Sequence, residues 1–126
     1  MIAVKGSDGQ YYNFKFKKGD IVRINGRNQT YPYYTRAMQE LNIPCEYLDN
    51  HLSIEKLRSI NWVVTNFVIS IHRGYIRHIY SIKNSHGKFL VIDEKGIVEK
   101  RELPLINVEK YAMKNNEEIS VWKEGI

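Results

Sequence analysis

Residues 62–83 hold two alternating runs, Trp62–Ile71 and Tyr75–Lys83, that meet at His72-Arg73-Gly74. Runs of that period read as strands, and a glycine-bearing two-residue break between them reads as a tight hairpin. With Arg73-Gly74 as the loop, His72 pairs with Tyr75, Ile71 with Ile76, Ser70 with Arg77, Ile69 with His78 and Phe67 with Tyr80. One face then collects Phe67, Ile69, Ile71, Ile76, His78, Tyr80 and Ile82. The other collects Asn66, Ser70, His72, Tyr75, Arg77 and Ser81, with Val68 and Ile79. Side chains alternate across a pleated strand, so the first face is expected against a core and the second against water. His78 is accordingly expected as a hydrogen-bonded core residue, while His72 stands at the wet tip beside Arg73, Tyr75 and Arg77. A one-residue slip would exchange these roles.

The same alternation runs through most of the chain. Ile2-Ala3-Val4, the turn Gly6-Ser7-Asp8-Gly9 and Tyr11–Lys17 read as strand, turn and strand, with Tyr12, Phe14 and Phe16 on one side. Gly19-Asp20 turns into Ile21–Ile24, where Val22 and Ile24 oppose Arg23. Lys88–Asp93 and Ile97–Arg101 extend the hairpin into a meander of four strands. Ile119–Lys123 is one strand more, and Pro104–Val108 a weaker candidate. One segment changes period: Tyr34, Ala37, Met38 and Leu41 recur at helical spacing within Pro32–Leu41, and Pro32 suits a first turn. A short second helix is expected within Ser53–Ser59, with Ile54 and Leu57 inward. The expected core is Tyr12, Phe14, Phe16, Val22, Ile24, Tyr34, Ala37, Met38, Leu41, Phe67, Ile69, Ile71, Ile76, Tyr80, Ile82 and Leu90.

At 126 residues the chain has the length of a single domain, 1–126. Such a domain buries about two thirds of its unfolded surface and needs no covalent staple. Cys45 is the single cysteine, which excludes an internal disulfide and a four-cysteine zinc site. The N-terminus lacks an apolar stretch of signal length, and no run nears the ~20 apolar residues of a bilayer span. The expectation is a soluble protein of a reducing, cytoplasmic compartment with no membrane partner. Usage rich in Ile, Lys, Asn and Tyr, with only three alanines, looks like an AT-rich genome such as that of a low-GC bacterium or its phage. In the phage case the compartment is the host cytoplasm.

Charge divides the chain. Residues 1–92 carry 13 basic and 6 acidic groups, or +7, whereas 93–126 carry 6 and 8, or −2. The basic body suits a partner of negative charge. A self-association surface on the mildly acidic C-terminal part, giving a homo-oligomer, is an alternative use of that charge.

No motif specifies a reaction. There is no Gly-x-Ser-x-Gly, no Gly-x-Gly-x-x-Gly and no Gly-Lys-[Ser/Thr], and nothing around Cys45 marks an activated thiol. His51, His72, His78 and His86 are scattered without a short-spaced ligand pair, so neither metal nor cofactor is expected. The cations of the body, Lys15, Lys17, Arg23, Arg73, Arg77, Lys83 and Lys88, are instead interleaved with Tyr11, Tyr33 and Tyr75, rings expected at the surface. Cations neutralise phosphates and rings stack on bases, the two needs of sequence-tolerant nucleic-acid binding. The plainer reading is a solvated face whose lysines guard sheet edges.

Binding therefore leads over catalysis, with nucleic acid or another polyanion as partner. The candidate residues are Lys15, Lys17, Arg23, Tyr33, His72, Arg73, Tyr75, Arg77, Lys83 and Lys88, and none is assigned as catalytic. Two alternatives stand beside it. Exposed Tyr and Arg anchor protein interfaces, which suits an inhibitor docking on a host protein. His72, Tyr75 and Arg77 with His86 have the types a metal-independent ribonuclease needs.

The segment Lys15-Phe16-Lys17-Lys18-Gly19-Asp20-Ile21-Val22-Arg23-Ile24 resembles the opening strand of SH3-like small barrels, where a Gly-Asp turn leads into an alternating strand. Gly87-Lys88-Phe89-Leu90-Val91-Ile92-Asp93, followed by Gly96, resembles a later hairpin of such barrels. The same Gly-Asp-Ile-Val turn is similar to that of MazF-type RNase toxins, and none of that family's catalytic residues is carried over to this sequence. The resemblance spans about half of the chain. It implies an SH3-like accessory protein of a phage or mobile element, with the 32–41 helix as an insertion. The expected fold class is α+β: a curved, mostly antiparallel sheet forming a small barrel, one inserted amphipathic helix and one short helix.

Overall fold

The computed structural model describes residues 2–25, 54–87, 89–101 and 118–124. The expected helix at 32–41 and strand at 104–108 lie outside the described residues, as do Tyr33 and Lys88. The strands are β1 (Ile2–Lys5), β2 (Tyr11–Phe14), β3 (Ile21–Ile24), β4 (Trp62–His72), β5 (Tyr75–Lys83), β6 (Phe89–Asp93), β7 (Ile97–Arg101) and β8 (Ser120–Glu124). Against them stand one six-residue helix, α1 (Ile54–Ser59), where a short helix was expected, and a single 3-10 turn, η1 (Glu94–Gly96).

The described residues therefore form a nearly all-antiparallel sheet protein, and this corrects the expected α+β class. Six strands make one sheet in the order β6-β5-β4-β3-β7, with β8 added beside β4, and β1-β2 form a separate ribbon. The small barrel is corrected too. The end strands β6 and β7 are joined by η1 alone, and no ladder closes them onto each other among the described residues.

The β4–β5 hairpin has the register its alternation dictates: His72↔Tyr75, Ile71↔Ile76, Ser70↔Arg77, Ile69↔His78 and Phe67↔Tyr80. Arg73 and Gly74 carry φ of 49° and 80°, the pair of positive values that a tight two-residue turn requires. The expected four-strand meander stops at β6. After η1 the chain crosses to the far side of the sheet, where β7 pairs antiparallel with β3. Asp93 makes that corner by accepting the Gly96 N–H at 3.2 Å. β8 runs parallel to β4, Val68 opposite Ser120 and Ile71 opposite Lys123.

One core lies between the ribbon and the sheet. Tyr12, Phe14 and Phe16 from the ribbon side meet Phe67, Ile69, Tyr80 and Ile82, with Val22, Ile24, Trp62 and Ile92 filling in. The Phe14 ring centroid lies 4.5 Å from that of Phe67 and 5.4 Å from that of Tyr80. Such aromatic pairs add about 0.5–1.5 kcal/mol each beyond their buried area. Polar latches fix the ribbon in place. The Tyr80 hydroxyl accepts the Phe16 N–H at 3.2 Å and donates to Glu94 Oε2 at 2.5 Å, while the same Oε2 accepts the Lys15 N–H at 3.1 Å. At the other end Ser7 N–H donates to the Ile119 carbonyl at 2.8 Å and Ser7 Oγ accepts from Val121 N–H at 3.0 Å, tying the ribbon's turn to β8.

Two expectations about the faces change. Ile76, expected in the core, is 44% exposed, and Ile71 and His78 are half-buried, so cover on this face thins toward the turn. His78 sits edge-on to Phe14, with ring centroids 5.1 Å apart. The opposite face, expected wet, is buried along its middle at Val68, Ser70, Ile79, Ser81 and Val91. Val68, Ile79 and Val91 give the reason, since strands apolar on both faces belong inside. The Ser81 hydroxyl there finds a partner: Thr65, the bulge residue opposite Ser81, meets Ser81 Oγ at 2.6 Å and donates to its carbonyl at 3.0 Å.

Candidate functional site

Water reaches the second face of β4–β5 at its tip. His72, Arg73 and Tyr75 are exposed there and Arg77 is half-buried. Pairing of His72 with Tyr75 and of Ser70 with Arg77 sets all four side chains of those pairs on one face. Tyr75 is 51% exposed. The Arg77 guanidinium lies 5.4 Å from its ring centroid and the Lys95 ammonium 5.7 Å. Lys95 Nζ also donates to the Tyr75 hydroxyl at 2.9 Å. That hydrogen bond holds the Lys95 ammonium above the usual lysine range, against the opposing charge of Arg77.

Lys95 is the member that sequence reasoning missed. It sits in the three-residue η1 between two strands, and only the Asp93-x-x-Gly96 corner brings it beside Tyr75. The readable signal was a capping Asp three residues before a glycine.

Arg73 adds a cation at the apex. Its φ of 49° is one that glycine, asparagine and aspartate adopt readily and that costs other residues about 1–2 kcal/mol. A long, charged side chain at that position is thus held against local preference.

The remaining candidates are dispersed. Arg23 on β3 donates from Nε to the Arg58 carbonyl at 2.7 Å and pairs through Nη1 with Glu99 at 3.1 Å, while Arg58 Nε donates to the Asn25 carbonyl at 2.8 Å. This reciprocal clamp docks α1 on β3 and β7. Lys83 ends β5 at the opposite end from Tyr75, about 26 Å away at ~3.3 Å per residue, with Nζ 5.0 Å from the Phe89 ring centroid. Lys15 and Lys17 flank the ribbon. Lys15 Nζ lies 5.6 Å from the Phe16 ring centroid, and the Lys17 N–H donates to Asp20 Oδ2 at 2.9 Å. Asp20, buried, meets Lys100 at 3.4 Å through its other oxygen, so the Gly19-Asp20 turn serves the fold.

The four residues of the ribonuclease alternative do not assemble. His86 lies in the turn beyond Lys83, at the far end of β5 from His72. Among the described residues no three His, Cys, Asp or Glu side chains gather as a metal would need. No described helix is long and apolar enough to cross a membrane.

Comparison with protein-family models, with curated proteins and with solved structures yields no match.

Proposed function

We propose that the chain is a non-enzymatic binding protein that engages nucleic acid or another polyanion at the tip of the β4–β5 hairpin. The observation that supports this is the exposed Tyr75 ring with Arg77 and Lys95 each within 6 Å of its centroid. Two cationic groups beside one exposed ring offer a phosphate charge-assisted donors. Arg73 extends the cationic surface around the turn, with the exposed His72 ring beside it. The lone cysteine of the chain supports a cytoplasmic setting.

Filter binding across a salt series tests the reading. Three phosphate contacts, from Arg73, Arg77 and Lys95, give a slope near −2 for a single strand. Affinity then falls roughly 20-fold between 50 and 200 mM salt. Arg77→Ala lowers the slope by about 0.7 to 0.9. Absence of binding to any DNA or RNA at low salt rejects the proposal.

Ile76 favours a second reading. It is 44% exposed on the other face of the same tip, and an apolar side chain beside Tyr75 and Arg77 is the make-up of a protein interface. An inhibitor docking on a host protein would be captured with that protein from lysate after nuclease treatment, and Ile76→Asp would abolish the capture.

A further inference from the structure

We propose that the tip selects unpaired strands, stacking one base on Tyr75 while Arg77 and Lys95 hold the neighbouring phosphates. This rests on the binding reading above and narrows it to a substrate class.

The ring is the discriminating feature. Phosphate alone needs cations, and a tyrosine between them adds nothing to a purely ionic grip. A base face, by contrast, is what an exposed aromatic plane receives, and every base offers one whatever its sequence. In a duplex those faces are covered by neighbouring pairs, so a surface ring meets only edges and backbone. In an unpaired strand they are open.

Tyr75 is prepared for that contact. Its backbone is fixed by pairing with His72, and its hydroxyl is held by Lys95 at 2.9 Å. The side chain is therefore already ordered, and a stacking base finds a platform that loses little further freedom. The cations come from different elements: Arg77 of β5 lies over the ring, and Lys95 of η1 lies at its hydroxyl end. A nucleotide presents one base with a phosphate before and after it, the same grouping of one plane and two opposite charges. Arg73, at a positive φ on the turn apex, stands next along the tip for the following phosphate. Asp93, the acidic residue at the start of η1, accepts the Gly96 N–H and lies near enough to Lys95 to favour its ammonium charge, so a bound phosphate meets this carboxylate at the edge of the site.

Three probes of equal length separate the terms at low salt: an oligo(dT) strand, an abasic phosphodiester strand and a duplex. The expected result is that oligo(dT) binds at least tenfold more tightly than either of the others. Tyr75→Ala should erase that preference, and Tyr75→Phe, which keeps the plane, should retain it. Thermal melts of both variants check that the tip change leaves the fold intact. Equal affinity for the abasic strand, or a preference that survives Tyr75→Ala, overturns the stacking inference while leaving polyanion binding in place. A tighter grip on duplex overturns it as well. Failure of all three probes to bind overturns the binding reading itself.

Discussion

Replacing Tyr80 by phenylalanine removes one oxygen atom and with it the latch between ribbon and sheet. Tyr80 is fully buried, its ring packed against Phe14, Phe16 and Phe67. Tyr80→Phe keeps that packing, so the change isolates the hydroxyl. Two bonds are lost, the acceptor for the buried Phe16 N–H at 3.2 Å and the donor to Glu94 at 2.5 Å. A buried N–H left without a partner costs about 1–3 kcal/mol. Glu94 is half-buried and keeps the Lys15 N–H, so its share is smaller. The net is about 2 kcal/mol. With ~2.1 cal/mol/K of unfolding entropy per residue, a chain of 126 residues melts about 8 °C lower. Thermal melts read this directly, and urea titration should show a lower midpoint with the slope unchanged. Glu94→Gln combined with Tyr80→Phe should cost less than the two singles together, since both break one network. A melting temperature within 1–2 °C of the parent would refute the latch, because it would mean that water satisfies the Phe16 N–H equally well.

Alkali offers another check. Burial, and then the hydrogen bond to Asp8 at 2.5 Å, push the Tyr12 hydroxyl up to about 12, and burial followed by Glu94 raises that of Tyr80 as well. Unfolded tyrosines lose their proton near 10, so above that pH the unfolded chain holds fewer protons and stability falls, over about pH 10 to 12 for Tyr12. Urea midpoints should be level from pH 8 to 9 and drop above pH 10, and Tyr12→Phe should flatten part of the drop. Arg73→Asn relieves the positive φ and should stabilise by about 0.5–1 kcal/mol in urea titration while weakening binding to oligo(dT). Gly96→Ala sets a Cβ against Ile92 Cγ1 and Cδ1 inside the β6–β7 corner, and should destabilise by about 1–3 kcal/mol on the same assay.

Local features were legible and distant ones were not. The β4–β5 register follows from alternation and from Arg73-Gly74, both written within residues 62–83, and every pairing expected there is present. The ribbon residues Tyr12, Phe14 and Phe16 were likewise legible from period alone. The partner of β7 was not, because a hairpin rule assigns it to β6, whereas the Asp93–Gly96 corner sends it across the sheet to β3. The parallel addition of β8 to β4 carries no turn signal at all. Val68 and Ile79 were a signal passed over: apolar residues on the supposedly wet face mark a strand buried on both sides. Ile76 fails in the other direction, since period assigns a face but cannot say how far cover on it extends. At the site, His72, Arg73, Tyr75 and Arg77 came together because one hairpin carries them all. Arg23 shares their charge but sits on β3, Lys83 lies on the same hairpin but at its far end, and Lys95 required the fold to be found.

Amide chemical-shift mapping during an oligo(dT) titration tests the tip most directly. The largest displacements should fall on His72–Arg77 and Lys95, growing together with one affinity, while Arg23, Lys83 and the β1–β2 ribbon stay in place. Displacements centred on Lys83 or on the ribbon, with residues 72–77 unmoved, would contradict the assignment of binding to this hairpin.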